Sequence, residues 1–257
     1  MYNVLRNFPS VGSNLTYQKT IYKAFNPFLF RGAVLQSKSR AALYMKNKAN
    51  KIKTWRVVFM AVQVYTFKVT YKHCEGKIWR IFDVSSNSDL ALLGYMILAS
   101  FDTMAYHLFS IECNNTIYET AIENYGEYPL LQETKLSELG LQIGQHLEMV
   151  YDFGCEQEFD IELIKISDMR KGTGRAYPKV IDGAGRGIID DMHVFDLMKI
   201  IERTDKNGKS DFEVAVDCNR NMIWDYRNYN IKYDNYMLKG YIEVIRKGYE
   251  EYDECEL

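Results

Sequence analysis

Six carboxylates, Asp152, Glu156, Glu158, Asp182, Asp190 and Asp191, fall on one predicted hairpin and the loop after it. Clustered carboxylate oxygens are the ligands that a hard cation such as Mg²⁺ or Mn²⁺ takes, and a cation so held can polarise a phosphoryl oxygen and activate water. The chemistry would be hydrolysis of a phosphodiester. The same residues have an ordinary structural use. Asp152 can satisfy turn amides, Asp190 or Asp191 can cap the next helix, and strand glutamates can face water. That structural use is the expectation, with no cofactor; Mg²⁺ or Mn²⁺ at these acids is the alternative.

The run Gly183-Ala184-Gly185-Arg186-Gly187 could bring backbone amides to a phosphate beside Arg186. It lacks the strand, glycine spacing and helix of a dinucleotide site, so a flexible loop is expected. Asp217-Cys218-Asn219-Arg220-Asn221 begins like a calcium loop, but Met222 stands where glycine is needed and Asn228 where glutamate is needed. His73, His107, His146 and His193 show no zinc-ligand spacing. The five cysteines, Cys74, Cys113, Cys155, Cys218 and Cys255, stand singly with no C-x-x-C pair and no secretory signal, which points to a reducing, cytoplasmic compartment. No apolar run approaches the roughly 20 residues that a membrane-spanning helix needs.

Charge divides the chain. Residues 1–60 hold 11 bases and no acid, so the overall net charge of −2 leaves −13 on the rest. Bases and aromatic residues interleave there, and one helix is predicted over 37–54. Lysine and arginine release counterions from a phosphate backbone while aromatic rings stack on bases, which makes Arg31, Lys38, Arg40, Lys46, Lys48, Lys51 and Lys53 candidate nucleic-acid contacts. A processed targeting peptide, a start of translation at Met60, a membrane-surface helix and docking on the acidic remainder are the competing readings. The division predicts a basic segment over 1–60 and a domain over 61–257.

The elements that must position the acids begin at Val62. Tyr65, Phe67, Val69 and Tyr71 alternate with Thr66, Lys68, Thr70 and Lys72 as in a half-buried strand. A second strand spans 78–84 after a turn at Glu75-Gly76, and Ser88 is placed to cap a helix carrying Leu90, Leu93, Ile97, Leu98 and Phe101. Short strands follow over 106–113 and 116–118, then strands over 146–153 and 158–166, and a long loop over 168–187. Two C-terminal helices close the chain: Val194, Leu197, Met198 and Ile201 lie on one, and Leu238, Tyr241, Ile242, Ile245 and Tyr249 on the other. The expected fold is α+β, a β-grasp (ubiquitin-like) sheet with an added hairpin and C-terminal helices.

Several short motifs recur in a specific order: Ile78-Trp79-Arg80, His107-Leu108, Tyr151-Asp152-Phe153-Gly154, then Tyr177-Pro178 with Ile181-Asp182-Gly183 and paired acids at Asp190-Asp191. In this order the chain resembles the Ri-plasmid ORF-3-like family of passenger proteins on plasmids and insertion elements, over residues 62–250. The resemblance implies a mobile-element setting. Three departures touch its hairpin and loop: Cys155 stands for the family's aspartate, Gln157 and Phe159 for its tryptophan and histidine, and Ile188-Ile189 for a proline pair. The pattern of a serine recombinase is absent.

The functional expectation is a non-enzymatic binding module that contacts a macromolecular partner through its acidic domain and nucleic acid through its basic segment. A metal-dependent phosphodiesterase or nuclease is the first alternative. The second is an acidic decoy that occupies the groove of a nucleic-acid-binding protein.

Overall fold

The computed structural model describes residues 62–251, except 123, 125 and 218–219. The basic segment 1–60, its predicted helix and its candidate nucleic-acid contacts lie outside the described residues. Among the described residues no helix is long and apolar enough to cross a membrane.

Strand β1 (Gln63–Tyr71) buries the predicted apolar positions Tyr65, Phe67, Val69 and Tyr71. It lies between β2 (Trp79–Ser85) and β6 (Gln157–Asp168), antiparallel to both. With β3 (Phe109–Cys113), β4 (Thr116–Glu119), β5 (His146–Tyr151) and β7 (Lys179–Ala184), these form a seven-stranded sheet of order β4-β3-β5-β6-β1-β2-β7. Neighbouring strands are antiparallel throughout. This differs from the β-grasp expectation, in which the first and last strands lie side by side and run parallel. The long β6 folds back from β5, pairing Tyr151 with Gln157, and its other edge takes β1, so β6 occupies the place beside β1 that β5 would need.

Helix α1 (Leu90–Ser100) is capped by Asp89, whose Oδ1 accepts the Leu92 amide at 2.7 Å, one residue beyond the expected Ser88. Nearly all of it is buried, as an all-round apolar helix requires. Gly94 lets it approach β3: a Cβ there would stand 2.3 Å from the Phe109 ring. Helix α2 (Val194–Asn207) is capped by His193, whose Nδ1 accepts the Phe195 amide, and not by Asp190 or Asp191. Helix α3 (Ile231–Glu250) buries Leu238, Ile242, Ile245 and Tyr249, and Tyr249 stacks on Tyr95 of α1 and meets Phe109 of β3 edge-on. At the other end of the sheet the Asn235 side chain of α3 both accepts the Val180 amide at 2.9 Å and donates to the Val180 carbonyl at 2.8 Å. A separate hairpin, β8 (Glu213–Asp217) with β9 (Arg220–Ile223), lies between α2 and α3 in sequence.

Strand β7 falls within the predicted loop over 168–187, and it helps to enclose a buried cation. The Arg80 side chain on β2 is wholly inaccessible. Its guanidinium spends five N–H bonds on four backbone carbonyls: Nε and Nη2 on Ser100 at 3.2 and 2.8 Å, Nη2 on Arg186 at 3.0 Å, Nη1 on Trp79 at 2.9 Å and Ala184 at 2.8 Å. The Tyr229 ring packs 3.8 Å from the guanidinium carbon and the Phe101 ring 4.8 Å away. A Cβ on Gly183 would come within 2.9 Å of Arg80 Cδ, one on Gly185 within 2.3 Å of the Lys77 carbonyl, and one on Gly187 within 2.4 Å of the Phe101 carbonyl. The glycine run is thus closely packed, against Arg80 at Gly183, Lys77 at Gly185 and Phe101 at Gly187, and not the flexible loop expected.

Asp234 of α3 brings a carboxylate to 3.5 Å from Arg80 Nε. Burial pushes the Asp234 carboxyl above its ordinary range despite that guanidinium, and burial likewise lowers the Arg80 value. Desolvation therefore outweighs the attraction for both partners, and the pair positions α3 without stabilising it much.

Arg80→Leu should cost about 3–5 kcal/mol in urea unfolding, because it strands four carbonyls and a buried carboxylate. Lys72→Met, which removes only the partly exposed pairs of Lys72 with Glu148 and Glu158, should change stability by less than about 1 kcal/mol. A carboxyl raised in the folded state holds its proton to higher pH than in the unfolded chain. Its contribution to stability is therefore greatest below the ordinary carboxylate range and falls as pH rises through the raised value. Asp234→Asn should flatten that limb of the pH–stability profile; an unchanged limb would assign it to other groups.

Candidate functional site

Three loops converge where β3 and β5 meet the end of α1: the segment 101–108, the β5–β6 turn 152–156, and the Ile188–Met192 stretch before α2. Asp190 holds two of them together, its Oδ1 accepting from the Tyr151 hydroxyl at 2.8 Å and its Oδ2 from the Met104 amide at 2.7 Å. Burial raises the Asp190 carboxyl even so, and burial raises the Tyr151 phenol. The 188–192 stretch is itself tied to α1, through the Ile188 amide on the Phe101 carbonyl at 2.9 Å.

His107 sits at the meeting point. Its Nε2 lies 2.9 Å from Asp191 Oδ1 and 3.5 Å from Asp152 Oδ2. The Tyr249 hydroxyl of α3 donates to the His107 carbonyl, so the histidine is fixed from the backbone side as well. Asp152 turns the hairpin: its Oδ1 accepts from the amides of Gly154 at 3.2 Å and Cys155 at 3.4 Å, as expected for a turn aspartate. Its Oδ2 is buried, with no hydrogen-bond donor among the described residues. Asp152 and Asp191 both adopt left-handed backbone, φ 58° and 60°, and Ala105 does so nearby at 54°. Such conformations cost roughly 1 kcal/mol or more each, and the surrounding hydrogen bonds hold them.

Tyr106 completes the cluster. Its hydroxyl donates to Asp191 Oδ2, its ring lies 4.3 Å from the His107 ring, and it remains 56% exposed. The Tyr106 hydrogen bond, with His107 beside it, holds the Asp191 carboxyl below its ordinary range. The Cys155 thiol is raised by burial and by the neighbouring Asp152 and Asp191 carboxylates. Ligand atoms of His107, Asp152 and Asp191 all lie within 4.8 Å of one another, a spacing that one metal ion could span.

Of the residues singled out from sequence, His107, Tyr151, Asp152, Gly154, Asp190 and Asp191 meet here. The others do different work. Glu158 pairs with Lys72 at 3.6 Å and Glu156 is exposed. Asp182 and Gly183 lie on β7 opposite Ile81 and Arg80, Trp79 pairs with Ala184, and Tyr177-Pro178, joined by a cis bond, leads into β7. Gln157 and Phe159 are core residues, Gln157 accepting from the Tyr71 hydroxyl and donating to the Met192 carbonyl at 2.8 Å. Tyr106 is not among the residues that sequence singles out, and its place beside His107 is the one signal that points to it.

The family model of the plasmid pRiA4b ORF-3-like protein matches residues 63–232. No curated protein matches the chain. Among solved structures, the crystal structure of a protein of unknown function from Methanosarcina mazei Go1 is similar in fold, with TM-score 0.55 and 21% identity, covering 68% of this chain and 97% of that one. The match spans β1 through the start of α3, and with it Arg80, His107, Asp152 and the Asp190-Asp191 pair; the chain belongs to the plasmid pRiA4b ORF-3-like family.

Proposed function

We propose that this chain is a binding module whose working surface is the pole around His107, and that its partner is a protein surface carrying basic and apolar groups. Tyr106 is the observation that carries the reading. A ring that is 56% exposed yet fixed by its tilted contact with the His107 ring and by its bond to Asp191 can be buried by a partner at little entropic cost. Met104 on the same loop and Phe153 on the adjoining turn are 55% and 49% exposed, and Asp191 offers an exposed carboxylate beside them. The basic residues 31–53 would add contacts to nucleic acid in a mobile-element setting.

Phosphodiester hydrolysis is the second reading, favoured by the closeness of His107, Asp152 and Asp191. Weighing against it, these two carboxylates face His107 and pair with no lysine or arginine among the described residues. Beyond a cation bound there, a phosphodiester would find no lysine or arginine paired with these acids among the described residues to offset its own charge.

Pull-down from nuclease-treated lysate should yield a partner whose retention drops at least about tenfold with Tyr106→Ala and weakens with salt. Assays of single- and double-stranded DNA and RNA with Mg²⁺ and Mn²⁺ should show no cleavage. Metal-dependent turnover that vanishes in a folded Asp152→Asn variant would replace this reading with the hydrolytic one. Separately, anisotropy with labelled DNA should show steeply salt-dependent binding that disappears when Lys46, Lys48, Lys51 and Lys53 become Glu; equal affinity after reversal removes the basic segment from the account.

A further inference from the structure

We infer that His107, Asp152 and Asp191 form a mononuclear site for a divalent cation of the borderline class, such as Mn²⁺, Co²⁺ or Zn²⁺. The inference goes beyond the binding reading and does not depend on it.

The argument starts from a shortage of protons. Asp152 Oδ2 and Asp191 Oδ1 both face His107 Nε2, at 3.5 and 2.9 Å. That nitrogen has one proton at most, and the shorter contact gives it to Asp191. Tyr106 serves the other Asp191 oxygen, and the Gly154 and Cys155 amides serve the other Asp152 oxygen. Among the described residues Asp152 Oδ2 is left with no donor, on a side chain that is only 8% exposed. A buried carboxylate oxygen with no donor is costly, and this one is aimed into the gap between the imidazole and Asp191. A cation in that gap satisfies all three groups together, taking the place of the shared proton.

Donor number and type select the cation. Each aspartate has one oxygen committed to the protein and one turned inward, so the site supplies one imidazole nitrogen and two monodentate carboxylate oxygens. Calcium takes six to eight oxygens, and magnesium prefers all-oxygen octahedra with retained water. A mixed nitrogen–oxygen set of three suits a transition-metal ion with positions left open to solvent. Donors around an ion with bonds of about 2.1 Å stand roughly 3–4 Å apart. The three ligand atoms already fall within 4.8 Å of one another, so small side-chain rotations close the set. Asp190 is not counted as a ligand, because both of its oxygens are engaged by Tyr151 and Met104.

Full-length chain stripped with a chelator and titrated calorimetrically with Mn²⁺, Co²⁺ and Zn²⁺ tests this directly. One ion should bind per chain, and Co²⁺ should develop visible d–d bands characteristic of mixed nitrogen–oxygen ligation. His107→Gln and Asp152→Asn should each weaken binding at least about tenfold, the lower end of what even indirect disturbance of a metal site costs. His146→Gln is the control: it removes an exposed histidine that pairs with Asp160 at 2.8 Å outside the cluster, and it should leave affinity unchanged. Thermal unfolding of each apo variant separates loss of ligation from loss of fold, and Asp191→Asn, at an exposed position, is the variant least able to disturb folding. Failure of the folded parent to bind any of the three ions at one per chain would overturn the inference, as would binding that survives in folded Asp152→Asn and Asp191→Asn. Because no partner or nucleic acid enters the titration, its outcome is independent of the partner-binding experiment.

Discussion

A guanidinium sealed inside the protein has to spend every N–H it carries, and the architecture can be read as the solution to that constraint. Arg80 meets it with carbonyls from β2 itself, the last residue of α1, the end of β7 and the stretch beyond β7. One of these, Ser100, belongs to the last turn of α1, where backbone carbonyls lack intrahelical partners and a cation is welcome. The same contacts fix where the chain passes after α1 and after β7. These two departures lead to the 101–108 loop and to the Asp190-Asp191 stretch, so the buried cation under one part of the fold sets the geometry of the polar cluster at another.

The cluster around His107 shows how such a frame can hold groups in arrangements they would not choose alone. Two aspartates in left-handed conformation, a carboxylate oxygen without a donor and an exposed tyrosine pinned by its hydroxyl all depend on hydrogen bonds supplied from separate elements. Asp190 links the β5 end to the α1–β3 loop, and Tyr249 reaches the His107 carbonyl from the far end of the chain. Residues that look interchangeable as acids therefore differ in role: Asp190 holds the loops, while Asp152 and Asp191 face inward.

The long elements were legible from sequence because burial imposed a simple period. The β1 alternation and the Leu238, Ile242, Ile245 and Tyr249 stripe of α3 lie where the pattern placed them. Strand β7 was not legible, since Asp182-Gly183 and the glycines after it carry turn chemistry, and their real cause is close approach, of Arg80 at Gly183, of Lys77 and Ile78 at Gly185 and of Phe101 at Gly187, three-dimensional information that no local window holds. The cap of α2 moved to His193 for a similar reason, since the carboxylates of Asp190 and Asp191 are engaged elsewhere, while the cap of α1 fell on Asp89, one residue after Ser88. At the site, Asp152 and Asp191 were visible as acids, but their convergence on His107 depends on three loops separated in sequence, and Glu158 and Asp182, equally visible, went to other surfaces.

The clasp of Asn235 on Val180 has a consequence for the making of the protein. A side-chain amide presents the same donor and acceptor pair that a neighbouring strand would, so it occupies the open edge of β7 at the point where an incoming strand would register. The opposite edge, β4, is four residues long and is bounded by the 129–131 segment, to which Glu119 is bonded in both directions. All seven strands of the main sheet are encoded before residue 185, whereas Asn235 is encoded after them, on α3. During synthesis the seven strands emerge ahead of α3, so the Val180 amide and carbonyl at the β7 edge wait for the one side chain that occupies both of them among the described residues.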